Sequence, residues 1–148
     1  MIIWIGIGAT ALVGVYNLMG GIDFVRDMVF AVSGGHGLTT ILFMMLILLI
    51  LGMFLDWVGV ALLTMPIFVP IVTELGYSPI WFGVVFCMNM QVSFLSPPFG
   101  PAAFYLKTVT PKDISLGEIF RALLPFIALQ VVALGLLIVF PQLALWWQ

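Results

Sequence analysis

The stretch from Leu38 to Gly76 is apolar over more residues than one membrane span needs, yet no polar loop divides it into two spans. A helix crosses a bilayer with about 20 apolar residues. Near the middle of the stretch lies the sequence Gly-Met-Phe-Leu-Asp, residues 52–56. The arms on either side have about 14 and 17 residues, which is short for a full crossing at about 1.5 Å per residue. The stretch therefore predicts a re-entrant helical hairpin over residues 38–75, with its tip at residues 52–56.

The composition indicates that lipid surrounds this hairpin. Hydrophobic residues make up 64% of the chain and charged residues 7%, whereas soluble domains carry about 25% charged residues. The formal net charge of -2 gives no indication of a nucleic-acid partner. Cys87 is the single cysteine and lies in an apolar run, which predicts a small buried hydrophobic residue rather than a reactive thiol.

The predicted fold is an all-α polytopic membrane protein. We expect a transmembrane helix at about 2–19, an interfacial amphipathic helix at 22–33, the hairpin at 38–75, a broken transmembrane helix at 79–108 and a last transmembrane helix at 118–147. The apolar start lacks a basic region, which favours a membrane span over a signal peptide and suggests a fragment of a longer subunit. The basic residues Lys107, Lys112 and Arg121 place the loop before the last span in the cytoplasm.

The second interruption is the sequence Ser-Phe-Leu-Ser-Pro-Pro-Phe-Gly-Pro at residues 93–101, inside the fourth stretch. Three prolines and a glycine break a helix, and a broken helix within lipid is tolerated only where it is buried in protein or lines an aqueous cavity. Free carbonyl oxygens at such breaks suit an alkali cation, and half-helix N-termini attract anions. The two interruptions together predict a sodium site beside an anionic substrate.

Several of the candidate residues have an ordinary structural interpretation as well. Asp56 is the one acidic residue embedded in an apolar stretch; it either faces an aqueous path or caps the second arm of the hairpin, and both roles are compatible. Asn89 and Ser93 are one helical turn apart and share a face, so interhelical hydrogen bonding is at least as good an interpretation as ligand contact. The predicted site region comprises Gly52, Met53, Asp56, Asn89, Ser93, Ser96, Pro97, Pro98, Phe99 and Gly100.

Catalysis is not indicated by the sequence. His36 lies among glycines with no nucleophile motif, and a single intramembrane aspartate cannot form the pair that an aspartyl protease uses. No ligand cluster for a catalytic metal is apparent. We therefore expect no enzyme and no cofactor.

A set of matching positions resembles the large membrane subunit of tripartite ATP-independent periplasmic (TRAP) transporters. The set comprises Gly52, Asp56, Pro66, Pro70, Gly76, Phe82-Gly83, Asn89 and Pro97-Pro98-Phe99-Gly100, followed by the closing "LLPFIALQVVALGLLIVFPQLALW". "FYLKTVTP" is similar to the branch labelled mannitol/chloroaromatic-type.

The resemblance implies part of a sodium-coupled secondary transporter with an elevator mechanism. Such a transporter resides in the bacterial inner membrane and imports an organic acid delivered by a periplasmic substrate-binding protein. A small TRAP membrane subunit completes the complex. The chain resembles the second of two inverted repeats, so the carbonyls that bind sodium are expected near Gly52 and at Ser96 or Phe99. Two alternatives remain: a truncated, non-transporting scaffold or remnant, and a repeat from another sodium/carboxylate transporter family.

Overall fold

A computed structural model describes residues 2–34, 36–97 and 100–146, and the elements it contains over these residues are helices. They are α1 (Ile2–Leu18), α2 (Gly21–Ser33), α3 (Gly37–Phe54), α4 (Trp57–Glu74), α5 (Pro79–Leu95), α6 (Pro101–Val109), α7 (Leu116–Val139) and the short α8 (Gln142–Leu145). Over the described residues, the prediction of an all-α protein is confirmed.

Three of the described helices, α3, α4 and α7, are long and apolar enough to cross a membrane, and α1 with α2 makes a fourth if that bent pair is one span. These helix lengths are consistent with the prediction of a polytopic membrane protein. Helix α5 is apolar but has 17 residues. It stands between α3 and α7 and packs against both.

The joint between α1 and α2 is a bend of 78°. Gly20 provides it with a left-handed backbone conformation at φ 74°, which costs a residue with a Cβ roughly 1–2 kcal/mol. The apolar residues of α2 differ in exposure. Val29 is buried, whereas Met28 and Val32 are exposed.

Helices α3 and α4 have 18 residues each and are joined by Leu55 and Asp56 alone. Each is longer than the arm predicted from the sequence, because α3 continues through Gly52 to Phe54 instead of ending at the glycine. The predicted tip at 52–56 thus begins inside the helix. The reason is that Gly52 serves a close helix contact rather than a turn.

The core is centred on α5. Trp81, Phe82 and Val85 are fully buried, and the Nε1 of Trp81 donates a 2.8 Å hydrogen bond to the carbonyl of Leu137 on α7. Cys87 is on the opposite, exposed side of α5. The prediction of a buried cysteine is therefore wrong: an apolar sequence context does not separate the packed face of a membrane helix from its outer face.

After α5 the chain leaves helical conformation at Ser96 and resumes it at Pro101, which begins α6. Helix α6 packs on α7, and Lys107 Nζ donates to the carbonyl of Ile114 in the intervening loop at 2.5 Å. Helix α7 begins at a capping box of Ser115 and Glu118. The predicted last span at 118–147 corresponds to α7 and α8, with Phe140 and Pro141 between them.

Candidate functional site

Gly52 lies at a close contact between α3 and α5. It is buried, and a Cβ placed on it would lie 2.9 Å from both the Cβ and the Oγ of Ser93, and 3.2 Å from Cε of Met90. Real Cβ atoms do not tolerate 2.9 Å contacts. The structure therefore brings together Gly52 and Ser93, one residue from each predicted interruption.

Two side chains of α5 are hydrogen-bonded to backbone carbonyls of α3. Asn89 Nδ2 donates to the carbonyl of Met45 at 3.0 Å. Ser93 Oγ lies 3.2 Å from the carbonyl of Leu49 and 3.0 Å from that of Asn89. The acceptors on α3 are one helical turn apart, as are the donors on α5, so the two helices are held together along the face that the sequence predicted.

The order of these contacts gives the helix directions. Asn89 is bonded to Met45, and Ser93, one turn later on α5, is bonded to Leu49, one turn later on α3. The two helices therefore run parallel. At about 1.5 Å per residue, the turn at Leu55 and the break at Ser96 follow the Gly52–Ser93 contact after a few ångströms of helix. The turn of the hairpin and the break of α5 therefore lie at the same end of the pair.

Asn89 has one buried atom without a partner. The side chain is 1% exposed, and its Oδ1 has no hydrogen-bond donor among the described residues. A buried, unsatisfied acceptor costs about 1–3 kcal/mol. A cation or a donor group would satisfy this oxygen.

Asp56 is exposed and caps α4, with its Oδ2 accepting a 3.2 Å hydrogen bond from the amide of Val58. This hydrogen bond supports the interpretation of Asp56 as a helix cap. Met53, which precedes the turn, is half-buried in α3. Neither side chain makes a hydrogen bond or ion pair to the break among the contacts that the structure describes.

Ser96, the first residue of the break, is hydrogen-bonded back to the last turn of α5. Ser96 Oγ donates to the carbonyl of Val92 at 2.7 Å, and the Ser96 amide lies 3.1 Å from the carbonyls of Val92 and Ser93. A Cβ on Gly100 would lie 2.9 Å from the carbonyl oxygens of Leu95 and Ser96. These two carbonyls accept no backbone hydrogen bond from any residue within the described ranges.

Pro97, Pro98 and Phe99 are the remaining predicted site residues. Pro97 is exposed at the break. Pro98 and Phe99 lie outside the described residues. The oxygens at the junction of α3 and α5 belong to amide, hydroxyl and carbonyl groups, which are hard ligands of the kind alkali and alkaline-earth cations accept.

A cavity of about 470 Å³ opens on the other side of the junction. It lies between α5 and α7 and extends to the start of α4, and Met90 lines it as well as touching the Gly52 position. Its lining is mainly apolar, with two amide side chains. The lining residues are Trp57, Phe86, Cys87, Met90, Gln91, Phe94, Leu95 and Gln130.

The sequence did not identify the acceptors on α3 or the contact with Met90. Met45 and Leu49 act through backbone carbonyls, for which an apolar side chain gives no signal. The available signal was their spacing: positions 45 and 49 are four residues apart, as are positions 89 and 93, and position 52 follows about one helical turn later on the same face.

Comparison with known proteins gives the context of this junction. The family described as "Tripartite ATP-independent periplasmic transporter, DctM component" matches residues 1–143. Relatives include the sialic acid TRAP transporter permease protein SiaT of Haemophilus influenzae, 33% identical over 78% of this chain and 18% of that protein. The sialic acid TRAP transporter large permease protein SiaM of Vibrio cholerae is 33% identical over 78% of this chain and 27% of its own length.

A third relative is the C4-dicarboxylate TRAP transporter large permease protein DctM of Pseudomonas aeruginosa, 35% identical over 68% of this chain and 23% of that protein. The chain thus spans between about a fifth and a quarter of the length of these relatives. The matched family covers nearly the whole chain, and apolar helices of membrane-spanning length run through the described residues. This chain belongs to the DctM family of TRAP transporter large permeases.

Proposed function

We propose that this chain is part of a sodium-driven TRAP permease that imports an organic acid, and that it supplies ligands of the coupling ion. The observation that carries the proposal is the contact of Gly52 with Ser93. It joins the end of α3 to the end of α5, where both helices lose their regular backbone hydrogen bonding. Interrupted helices that meet in this way are a common construction for ion and substrate sites in secondary transporters.

The chemistry of the junction supports a cation as the coupling partner. The carbonyls of Leu95 and Ser96 and the Oδ1 of Asn89 are oxygens without a described donor. Sodium needs several such ligands, and the carbonyls near Gly52 and Ser96 are the ones we propose. The organic acid would bind next to the ion, where the positive charge offsets that of the carboxylate.

We also propose where this chain belongs in the transporter and which partners it has. The chain corresponds to the second of two inverted repeats, in the mannitol/chloroaromatic-type branch, and works by an elevator motion in the bacterial inner membrane. Its partners are a small membrane subunit and a periplasmic substrate-binding protein. The names of the relatives support these partners, since the relatives are TRAP permeases for sialic acid and C4-dicarboxylates.

The test is sodium-dependent uptake of radiolabelled organic acids by the permease that contains this chain, reconstituted with its partners. Asn89→Leu removes the unsatisfied Oδ1 and keeps a side chain of similar size. We expect its unfolding temperature to stay close to that of the wild type, because the substitution removes an unpaired acceptor together with one hydrogen bond. Uptake should fall more than tenfold.

Gln91→Leu is the matched control, since it makes the same amide-to-leucine change two residues away on an exposed face of α5. It should retain both stability and uptake. Uptake that is equally fast without sodium would overturn the coupling proposal. Wild-type uptake by Asn89→Leu would overturn the site.

A further inference from the structure

The cavity between α5 and α7 has the size and lining of a small-molecule site. Its volume is about 470 Å³, and ligand pockets of about 300–1,000 Å³ usually combine an apolar lining with a few polar groups. The aromatic rings of Trp57, Phe86 and Phe94 belong to this lining, together with the amides of Gln91 and Gln130. Aromatic rings pack well against another ring. The lining therefore matches a ligand with an aromatic body and a single polar group.

The cavity provides no charge that would bind an anion. Within the described residues, its lining contains no acidic or basic side chain. Moving an unpaired carboxylate into such surroundings costs several kcal/mol, so the organic acid proposed for the permease does not fit here. Met90 lines the cavity and its Cε lies 3.2 Å from the Cβ position on Gly52. This side chain stands between the cavity and the α3–α5 junction, and a neutral ligand is favoured.

The amide of Gln130 has bonding capacity to spare. Its Oε1 is buried and has no hydrogen-bond donor among the described residues, which costs about 1–3 kcal/mol. A glutamine amide carries one acceptor atom and one donor atom, and rotation about its last bond exchanges their places. A hydroxyl group both donates and accepts. It would therefore pair with this amide in either orientation.

The position of Gln130 indicates how a ligand reaches the cavity. It lies near the middle of α7 (Leu116–Val139), a helix long and apolar enough to cross a membrane. Its neighbours Leu129 and Val131 are 67% and 49% exposed, and Cys87 is exposed on the α5 side of the cavity. A ligand therefore arrives through hydrocarbon. At this depth a headgroup with several polar groups is disfavoured, whereas one hydroxyl costs much less to bring in.

We propose that the cavity between α5 and α7 binds a neutral, membrane-soluble phenol. Its ring and alkyl groups pack against Trp57, Phe86 and Phe94, and its hydroxyl bonds to the amide of Gln130. This inference goes beyond the proposed function. It assigns a second site, separate from the proposed ion site and with a different ligand, so it does not depend on sodium coupling.

The experiment is competitive photolabelling of the permease that contains this chain, reconstituted in phosphatidylcholine vesicles. The probe is 2,6-diisopropylphenol with a diazirine on one alkyl group, and labelled peptides of α5 and α7 are quantified by mass spectrometry. The unlabelled competitors are 2,6-diisopropylphenol and 1,3-diisopropylbenzene, which has the same body without the hydroxyl. We expect saturable labelling, and the phenol should compete at about a tenfold lower concentration than the hydrocarbon, since it satisfies the Gln130 amide.

Two variants connect the labelling to the cavity. Gln130→Leu should abolish the difference between the two competitors, whereas Gln142→Leu, the same change at an exposed position outside the cavity, should retain it. Cys87→Trp fills the cavity from an exposed position and should remove the saturable labelling. Unfolding temperatures near that of the wild type confirm that these variants are folded.

Three results would overturn the proposal. Labelling that does not saturate would mean that the probe only samples the lipid around α5 and α7. Equal competition by the phenol and the hydrocarbon in the wild type would remove the role of Gln130. Protection of the cavity residues from labelling in the assembled permease would mean that another part of the permease fills the cavity. None of these readouts uses transport, so a failure of sodium coupling leaves them unaffected.

Discussion

Gly52 is the position at which a single added methyl group should separate the two interrupted elements. In a sequence, a glycine before an aspartate in an apolar run favours a turn, and residues 52–56 were predicted as one. The structure uses the missing side chain for the approach of α5 instead. Such a contact depends on the residue opposite, Ser93, which no local pattern identifies.

Gly52→Ala should therefore reduce both stability and sodium-dependent uptake. The new Cβ would lie 2.9 Å from Ser93 Cβ and Oγ, and overpacking of this kind costs typically about 1–3 kcal/mol. Thermal unfolding in detergent and uptake in vesicles measure the two effects. Adding Ser93→Gly should recover part of the stability, because it removes both of the atoms in conflict.

Gly59→Ala is the matched control for that substitution. Gly59 lies inside α4 with no atom within 4 Å of an added Cβ, and alanine is favoured over glycine in a helix by roughly 0.8–1.0 kcal/mol. Its unfolding temperature should stay the same or rise. If Gly52→Ala behaved like Gly59→Ala, the close contact would not be present in the folded protein.

At the scale of the elements, prolines mark two helix starts, whereas the hairpin turn was located only to within residues 52–56. Pro79 and Pro101 each begin a helix, as proline does at the first helical position. The hairpin turn has no such marker: Leu55 and Asp56 alone interrupt the helix. The bond from Val58 to Asp56 supports the sequence-based interpretation of Asp56 as the cap of α4. The bend at Gly20 depends on a positive φ that the glycine permits but does not require.

The capping box at the start of α7 gives a prediction at this scale. Ser115 Oγ accepts a 3.3 Å hydrogen bond from the amide of Glu118, and the Glu118 carboxylate accepts from the Ser115 amide at 2.6 Å. Ser115→Ala should destabilise the protein by about 1 kcal/mol, seen as a lower unfolding temperature. Ser78→Ala is the control, because Ser78 is also an N-cap residue but makes no capping hydrogen bond through its side chain. Equal effects of the two substitutions would contradict the role of the box.

At the scale of the molecule, two helix contacts differ in kind. Helices α3 and α5 are joined by side-chain hydrogen bonds to backbone carbonyls. Helix α1 packs on α4, but a cavity of about 340 Å³ lies between them, lined by residues that include Thr10, Gly14 and Ala61. Sliding of packed helices is a recognised form of domain motion. Under the proposed elevator mechanism, the α1–α4 contact is the one that slides.

Cross-linking α1 to α4 should then stop transport. A Cβ on Gly6 would lie 4.0 Å from Leu62 Cδ1, so Gly6→Cys with Leu62→Cys, in a Cys87→Ala background, places two thiols within reach of a short reducible cross-linker. Uptake in vesicles should fall in proportion to the cross-linked fraction measured by gel mobility and return on reduction, because the link prevents relative motion. Each single-cysteine variant should be unaffected by the reagent. Full uptake by completely cross-linked protein would mean that α1 and α4 move together, and the sliding contact would have to lie elsewhere in the permease.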